Sequence, residues 1–230
     1  MAAGYLGGSL LLVGGCAGGR LGPILPTGMA PAEVSAGRAW AEATRVVENR
    51  LVRFRFQFRD DLGAAGGRGS IRLTPGDSLR FDVIGALGVG RGSAFVLGDT
   101  AIWVEPEDDI RKMVPNYPLL WAMLGMVRPP EPHASVRQFR DQRVEAWQFA
   151  VGPDTVEYVR SGAPAGKLIA EVRQGGQHVG RVETVFGADG VPVSSRLVVP
   201  SVPARLDITI TSSVTGTAFE PDTWDRPPPP

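Results

Sequence analysis

A cluster of carboxylates near the middle of the chain is the densest group of residues that could do chemistry. Its members are Glu105, Glu107, Asp108 and Asp109. Oxygen ligands at this density can bind Ca²⁺, and paired carboxylates can act as general acid and base. Pro106 and the basic pair at 111–112 are more typical of an exposed turn, which is the interpretation that we favour.

Other reactive side chains are sparse. The chain has two histidines, His133 and His178, and a single cysteine, which excludes an internal disulfide and a cysteine-based metal cluster. Ser93 and Ser161 lie near glycines but lack the strand–turn–helix context of a hydrolase nucleophile. The glycines within 85–90 precede a predicted strand, whereas a dinucleotide-binding loop opens a helix. We therefore expect no enzymatic activity, no cofactor and no bound metal.

The single cysteine, Cys16, follows a short apolar run at 10–13 and two glycines. This run is far shorter than the roughly 20 apolar residues that span a bilayer, and it is typical of a secretory signal. Residues 13–16 (VGGC) resemble the bacterial lipobox. That resemblance implies that lipid is attached to the Cys16 sulfur and that the mature chain begins there. The alternative is an ordinary free cysteine that is buried in the fold.

The length of the chain favours one folded domain. Lys+Arg and Asp+Glu are equal at 24 each, so the net charge gives no reason to expect a nucleic-acid partner. We predict a signal peptide at 1–15 and a flexible Gly/Pro-rich tether at 16–31. A single domain follows at 32–219, and a proline-rich disordered tail occupies 220–230.

The hydrophobic periodicity of the domain changes early from helix to strand. Residues 33–50 have helical spacing, and 51–59 then alternate between apolar and polar side chains. Further alternation gives about eleven strands, which lie too close together in sequence for parallel crossovers, so the sheet should be antiparallel. An apolar helix is predicted at 115–128. The strands are predicted at 51–59, 70–74, 79–83, 92–97, 101–105, 143–151, 155–160, 167–173, 178–186, 194–199 and 205–211.

Two segments resemble LolB, of the LolA/LolB class of lipoprotein carriers and receptors. Residues 78–88 (SLRFDVIGALG) are similar to the LolB strand that runs into a Leu-Gly loop. Residues 116–125 (NYPLLWAMLG) are similar to a later LolB segment with a Leu-x-x-Trp-x-Leu-Gly pattern. The layout matches over 33–211. The resemblance implies a mainly β fold, a strongly curved antiparallel sheet forming an incomplete, open β-barrel. An N-terminal helix and a short apolar helix would cover its concave side.

The resemblance also implies a function: binding acyl chains of lipoproteins or lipids in an apolar cavity and helping to deliver them to the outer membrane. The protein would be lipid-anchored there, facing the periplasm, with a periplasmic carrier protein as a possible partner. Leu87 matches the residue that inserts into the membrane in LolB, although it could instead fold back into the core. The apolar helix could be a movable lid or a permanent part of the core. The expected cavity residues are Val52, Phe54, Phe56, Phe58, Ile71, Leu73, Leu79, Phe81, Val83, Phe95, Trp103, Leu120, Trp121 and Leu124.

Two further interpretations remain open. The protein could be a non-enzymatic structural or interaction lipoprotein that uses its curved sheet as a scaffold for a protein partner, with the interior filled by its own side chains. The arginines that alternate with the apolar residues of the first strand (Arg53, Arg55 and Arg59) could contact anionic head groups, or could simply form the solvated face of the sheet.

Overall fold

The computed structural model describes residues 21–86 and 90–226, so Cys16 and Leu87 lie outside the described part of the chain. The helices are α1 (Val34–Glu42), α2 (Glu107–Met113) and α3 (Tyr117–Met123), and a 3₁₀ turn spans Pro221–Trp224. The strands are β1 (Ala30–Ala32), β2 (Arg50–Asp60), β3 (Gly63–Leu73), β4 (Ser78–Gly85), β5 (Arg91–Leu97), β6 (Thr100–Glu105), β7 (Ser135–Arg140), β8 (Val144–Val151), β9 (Asp154–Ser161), β10 (Gly166–Gln174), β11 (Gln177–Phe186), β12 (Pro192–Val199) and β13 (Ala204–Thr215).

All these strands form one antiparallel sheet. Their order is β1-β7-β8-β9-β10-β11-β12-β13-β2-β3-β4-β5-β6, and the edge strands β1 and β6 do not pair with each other. The sheet is therefore an open barrel, which confirms the predicted fold class. Since successive strands run in opposite directions, alternate turns lie at the same end of the sheet. We call the end that carries the β2–β3, β10–β11 and β12–β13 turns the open end.

Three element predictions were wrong. The sheet has 13 strands rather than about eleven, because β1 has only three residues and the apolar residues of β7, Val136 and Phe139, do not alternate with polar ones. The helix predicted at 33–50 ends at Glu42, where the Thr44 hydroxyl donates to the Ala41 carbonyl at 2.7 Å and the chain turns towards β2. The acidic segment expected as a turn begins α2, with its acids in the first turn and Arg111 and Lys112 in the last, as the helix dipole favours.

Helix α3 fills the concave side of the sheet. Leu119, Trp121 and Met123 are all buried, as the all-round apolar pattern of this segment requires. Two buried hydroxyls fix its end: Thr184 of β11 donates to the Ala122 carbonyl at 2.7 Å, and Ser195 of β12 donates to the Met123 carbonyl at 2.5 Å. These contacts favour the interpretation that α3 is a permanent core helix.

Replacing Thr184 with valine tests this attachment. Thr184→Val keeps the side-chain shape but removes a buried hydrogen bond, so we expect it to lower the free energy of unfolding in urea by about 1–2 kcal/mol. Thr209→Val, on the exposed face of β13, is the matched control and should have little effect. Equal stability of the two variants would contradict the proposed role of the Thr184 hydroxyl.

The N-terminal strap, which we define as residues 21–29, lies on the outer face of the sheet. Arg181 of β11 donates to the Gly22 carbonyl, and Arg137 of β7 donates to the Met29 carbonyl at 2.7 Å. The chain then enters β1, which pairs with β7. The sequence predicts a flexible tether at 16–31, and that prediction is wrong for residues 21–31, because charged side chains of the sheet bind the strap backbone.

The other end of the chain also packs on the outer face. Trp224 stands 5.3 Å from Phe95 between ring centroids, and its carbonyl accepts a hydrogen bond from the Trp103 indole at 3.1 Å. Arg80 donates to the Thr223 carbonyl at 2.5 Å. Disorder was predicted for the whole of 220–230, but residues 220–226 form this ordered contact. The prediction was based on the proline content of the tail, which does not indicate such a contact.

Candidate ligand-binding site at the open end

Helix α2 covers the open end of the barrel from inside. Its buried residue is Ile110, which packs close to β5: a Cβ atom built on Gly92 would come within 2.8 Å of the Ile110 Cδ1 atom. Glycine at this position therefore permits the close approach of helix and strand. Pro106 precedes the helix as its N-cap residue, and Val114 ends it before the chain enters α3.

Two apolar cavities flank α2. The first, of about 410 Å³, lies between the helix and β2–β5 and is lined by Phe56, Val83 and Met113 among others. The second, of about 500 Å³, lies on the side of β11–β13. Pockets for small ligands usually measure about 300–1,000 Å³, so each cavity is large enough for part of a lipid.

The two cavities meet at β2 and its hairpin turn. Phe58, Asp60, Leu62 and Lys112 line both of them. Leu62, in the β2–β3 turn, is 84% exposed, and Val202, in the β12–β13 turn beside the second cavity, is 54% exposed. The open end thus combines an apolar interior with exposed apolar side chains at its rim.

The structure separates the expected cavity residues into three groups. Phe56, Phe58 and Val83 line the cavities. Phe95 and Trp103 do not: they pair with each other across β5 and β6 on the outer face, where Arg80 lies 5.3 Å from the centre of the Trp103 ring. Their placement in the cavity was wrong, because alternation alone does not show which face of a strand is the inner one. The remaining residues are packed in the core: Val52, Phe54, Ile71, Leu73, Leu79, Phe81, Leu120, Trp121 and Leu124.

The sequence reasoning missed the residues of α2. Ile110 and Met113 are three positions apart, and Val114 follows at the fourth, which is a helical spacing of apolar residues. This spacing predicts a short helix, but the segment was interpreted as an exposed turn because of the neighbouring carboxylates and Pro106. The exposed leucine and valine of the rim carried no comparable signal, since single apolar residues in turns are common.

A third cavity, of about 660 Å³, lies beside the start of α3 and is more polar. Arg128 lies at its wall and forms ion pairs with Asp77 at 3.0 Å and with Asp99 at 2.8 Å. Tyr158 is fully buried there, and burial raises the pKa of its hydroxyl well above the usual value. Its hydroxyl accepts a hydrogen bond from the Arg128 backbone at 3.3 Å. These groups stabilise the chain that leaves α3.

Two carboxylates of the acidic cluster form ion pairs with arginines. Glu107 pairs with Arg111 at 2.5 Å, and Glu105 pairs with Arg226 at 2.6 Å. Across residues 21–86 and 90–226 no group of three or more potential metal ligands is present. In that same part of the chain no helix has the length and apolar character needed to cross a bilayer.

Comparison with solved structures identifies a known fold. A putative outer membrane lipoprotein-sorting protein domain from Vibrio parahaemolyticus superposes with a TM-score of 0.50 at 7% identity, covering 84% of this chain and 94% of that one. A LolA superfamily protein from Nitrosomonas europaea gives a TM-score of 0.53 at 8% identity, covering 85% and 98%. No protein-family model and no curated protein matches the sequence. At these identities the similarity shows the fold alone, which this chain shares with those two proteins.

Proposed function

We propose that this protein binds acyl chains of lipids or lipoproteins in the two cavities beside α2 and helps to deliver them to the outer membrane. In this proposal the mature chain is anchored through lipid on Cys16, faces the periplasm and receives its cargo from a carrier protein. One observation carries the proposal: two apolar cavities meet at Phe58 and Leu62 and open at the same end of the barrel. The LolA-type fold supports it.

The physical basis is burial of hydrocarbon. Each methylene group that leaves water for an apolar site contributes about 0.8 kcal/mol. Such recognition needs no directional contacts, so the apolar lining can accept chains of different lengths. Because α3 fills the middle of the barrel, the ligand occupies the space around α2 rather than the space beneath α3.

A chain-length series tests the proposal. We expect saturated fatty acids of increasing length to displace a fluorescent fatty acid from the purified protein with affinity rising about fourfold per methylene until the cavities are filled. Mass spectrometry of protein taken from membranes should detect bound lipid. An affinity that is independent of chain length, together with protein that carries no lipid, would contradict the proposal.

The packed interior favours a second candidate function, that of a scaffold for a protein partner. A protein that uses its curved sheet as a scaffold for a protein partner requires no cavity, and the core beneath α3 is filled in this way. The chain-length series separates the two functions, since a scaffold would not bind hydrocarbon in proportion to its length.

A further inference from the structure

The outer face near the open end carries arginines that stability does not explain. Arg55 of β2 and Arg68 of β3 are directly opposite each other, and Arg68 is followed across β4 by Arg91 of β5. Like charges directly opposite each other in an antiparallel pair are destabilising. We call Arg55, Arg59, Arg68 and Arg91, all of them exposed, the arginine collar.

Carboxylates on this face are engaged elsewhere. Asp207 binds Arg196 at 2.7 Å and Arg205 at 2.6 Å, and Asp82 binds Arg72 and Arg80. The collar arginines form no ion pair within the described residues. At the turn beside them, Asp60 accepts hydrogen bonds from the backbone of Leu62 and Gly63, and Asp61 is the other nearby acid. The collar is thus a basic surface that is available to an anionic partner.

The path of the N-terminal strap shows where the rest of the chain is attached. Leu21, the first described residue, lines a groove with Arg59, Asp60 and Pro200, which belong to the open end. Four residues separate it from Cys16, and the five steps from Cα to Cα reach at most about 18 Å when fully extended. A lipid on Cys16 would therefore hold the open end close to the bilayer.

From these observations we propose that the open end is a membrane-docking surface: Leu62 and Val202 enter an anionic bilayer while the arginine collar binds its head groups. This inference rests on the proposed function. It adds that the two cavities open towards a membrane surface. Exposed apolar side chains combined with basic residues on the same end of a protein can bind anionic lipid surfaces, and each arginine near such a surface strengthens binding several-fold. Cargo leaving the cavities would then pass directly into the membrane.

Vesicle binding tests this surface. The full chain carries Cys16→Ala in every sample, so that an attached lipid does not mask the interaction, and vesicles contain phosphatidylethanolamine with phosphatidylglycerol. We expect Arg55→Glu/Arg68→Glu to weaken binding at least about tenfold, and added salt to weaken binding of the parent. The control, Arg140→Glu/Arg143→Glu, makes the same charge change at the opposite end and should bind as the parent does.

The apolar residues of the rim are tested in the same assay. Leu62→Glu/Val202→Glu should also lose binding, while Val214→Glu, which changes an exposed valine far from the rim, should retain it.

Equal binding of all variants, or no binding of the parent to these vesicles, would overturn the docking proposal. Binding of the fluorescent fatty acid is measured in parallel without vesicles, and Arg55→Glu/Arg68→Glu should leave it unchanged because neither arginine lines a cavity. Vesicle binding that follows the expected pattern without any fatty-acid binding would refute the acyl-chain function and leave the docking surface intact.

Discussion

Met113→Glu is expected to reduce the affinity for fatty acids by about a hundredfold. Met113 lies in the last turn of α2 and lines the cavity between the helix and β2–β5. A carboxylate there must either lose its hydration when hydrocarbon enters or keep water in the cavity, and an unpaired charge in an apolar site is strongly disfavoured. Displacement of the fluorescent fatty acid measures the effect.

The control for this variant places the same charge elsewhere. Ile102 of β6 is an exposed apolar residue that lines neither cavity beside α2, so Ile102→Glu should leave the affinity unchanged. Because Met113 is only partly buried, Met113→Glu should retain the fold, which circular dichroism and a urea unfolding curve can establish. A folded Met113→Glu protein that binds fatty acids as tightly as the parent would exclude this cavity as the ligand site.

Glu171→Gln should be among the most destabilising single substitutions on the outer face, at about 3 kcal/mol. Glu171 is 0% exposed, and its carboxylate forms ion pairs with Arg173 at 2.9 Å and with Arg181, while the His178 Nδ1 atom lies 3.1 Å from it. Removing the negative charge leaves the two guanidinium groups close together without a counter-ion. Arg173 and Arg181 remain partly solvated. We therefore expect the decrease in the free energy of unfolding to lie at the lower end of the range for breaking a buried ion pair.

The same substitution should also loosen the N-terminal strap. Arg181 binds both Glu171 and the Gly22 carbonyl, so it links the buried carboxylate to the strap. Hydrogen exchange at residues 22–29 should therefore be faster in Glu171→Gln. Glu183→Gln removes an exposed carboxylate paired with Lys167 at 2.9 Å and should cost less than about 1 kcal/mol without changing exchange. Matching behaviour of the two variants would show that the Glu171 cluster does not hold the strap.

Long alternating strands and the apolar helix could be predicted from the sequence. Phe54 and Phe56 alternate with arginines in β2. This period-2 pattern predicts the strand correctly because one face of the sheet is buried and the other is exposed. The position of α3 follows from its consecutive apolar residues. Short elements could not be found in this way: β1 has three residues and is formed by pairing with β7, which is a tertiary contact.

The location of the site was harder to predict than the fold. Inward-facing residues were recognised, yet the sequence does not reveal how deeply α3 fills the barrel, so residues such as Leu79 were expected to line a cavity and are packed in the core. The empty space depends on where α2 rests, and its position depends on Gly92 and Ile110, which are 18 positions apart in the chain. Single-sequence periodicity contains no information about such a contact.

The tryptophan near the carboxyl terminus has a practical consequence for anyone preparing this protein. Trp224 shields the aromatic rings of Phe95 and Trp103, although proline-rich residues of this kind are commonly trimmed before crystallisation. A shortened version ending at residue 219 would leave those rings bare on the sheet exterior, where they would promote self-association. Expression designs should therefore spare residues 220–226, and poor solubility of a trimmed version should be attributed to these rings before a misfolded barrel is suspected.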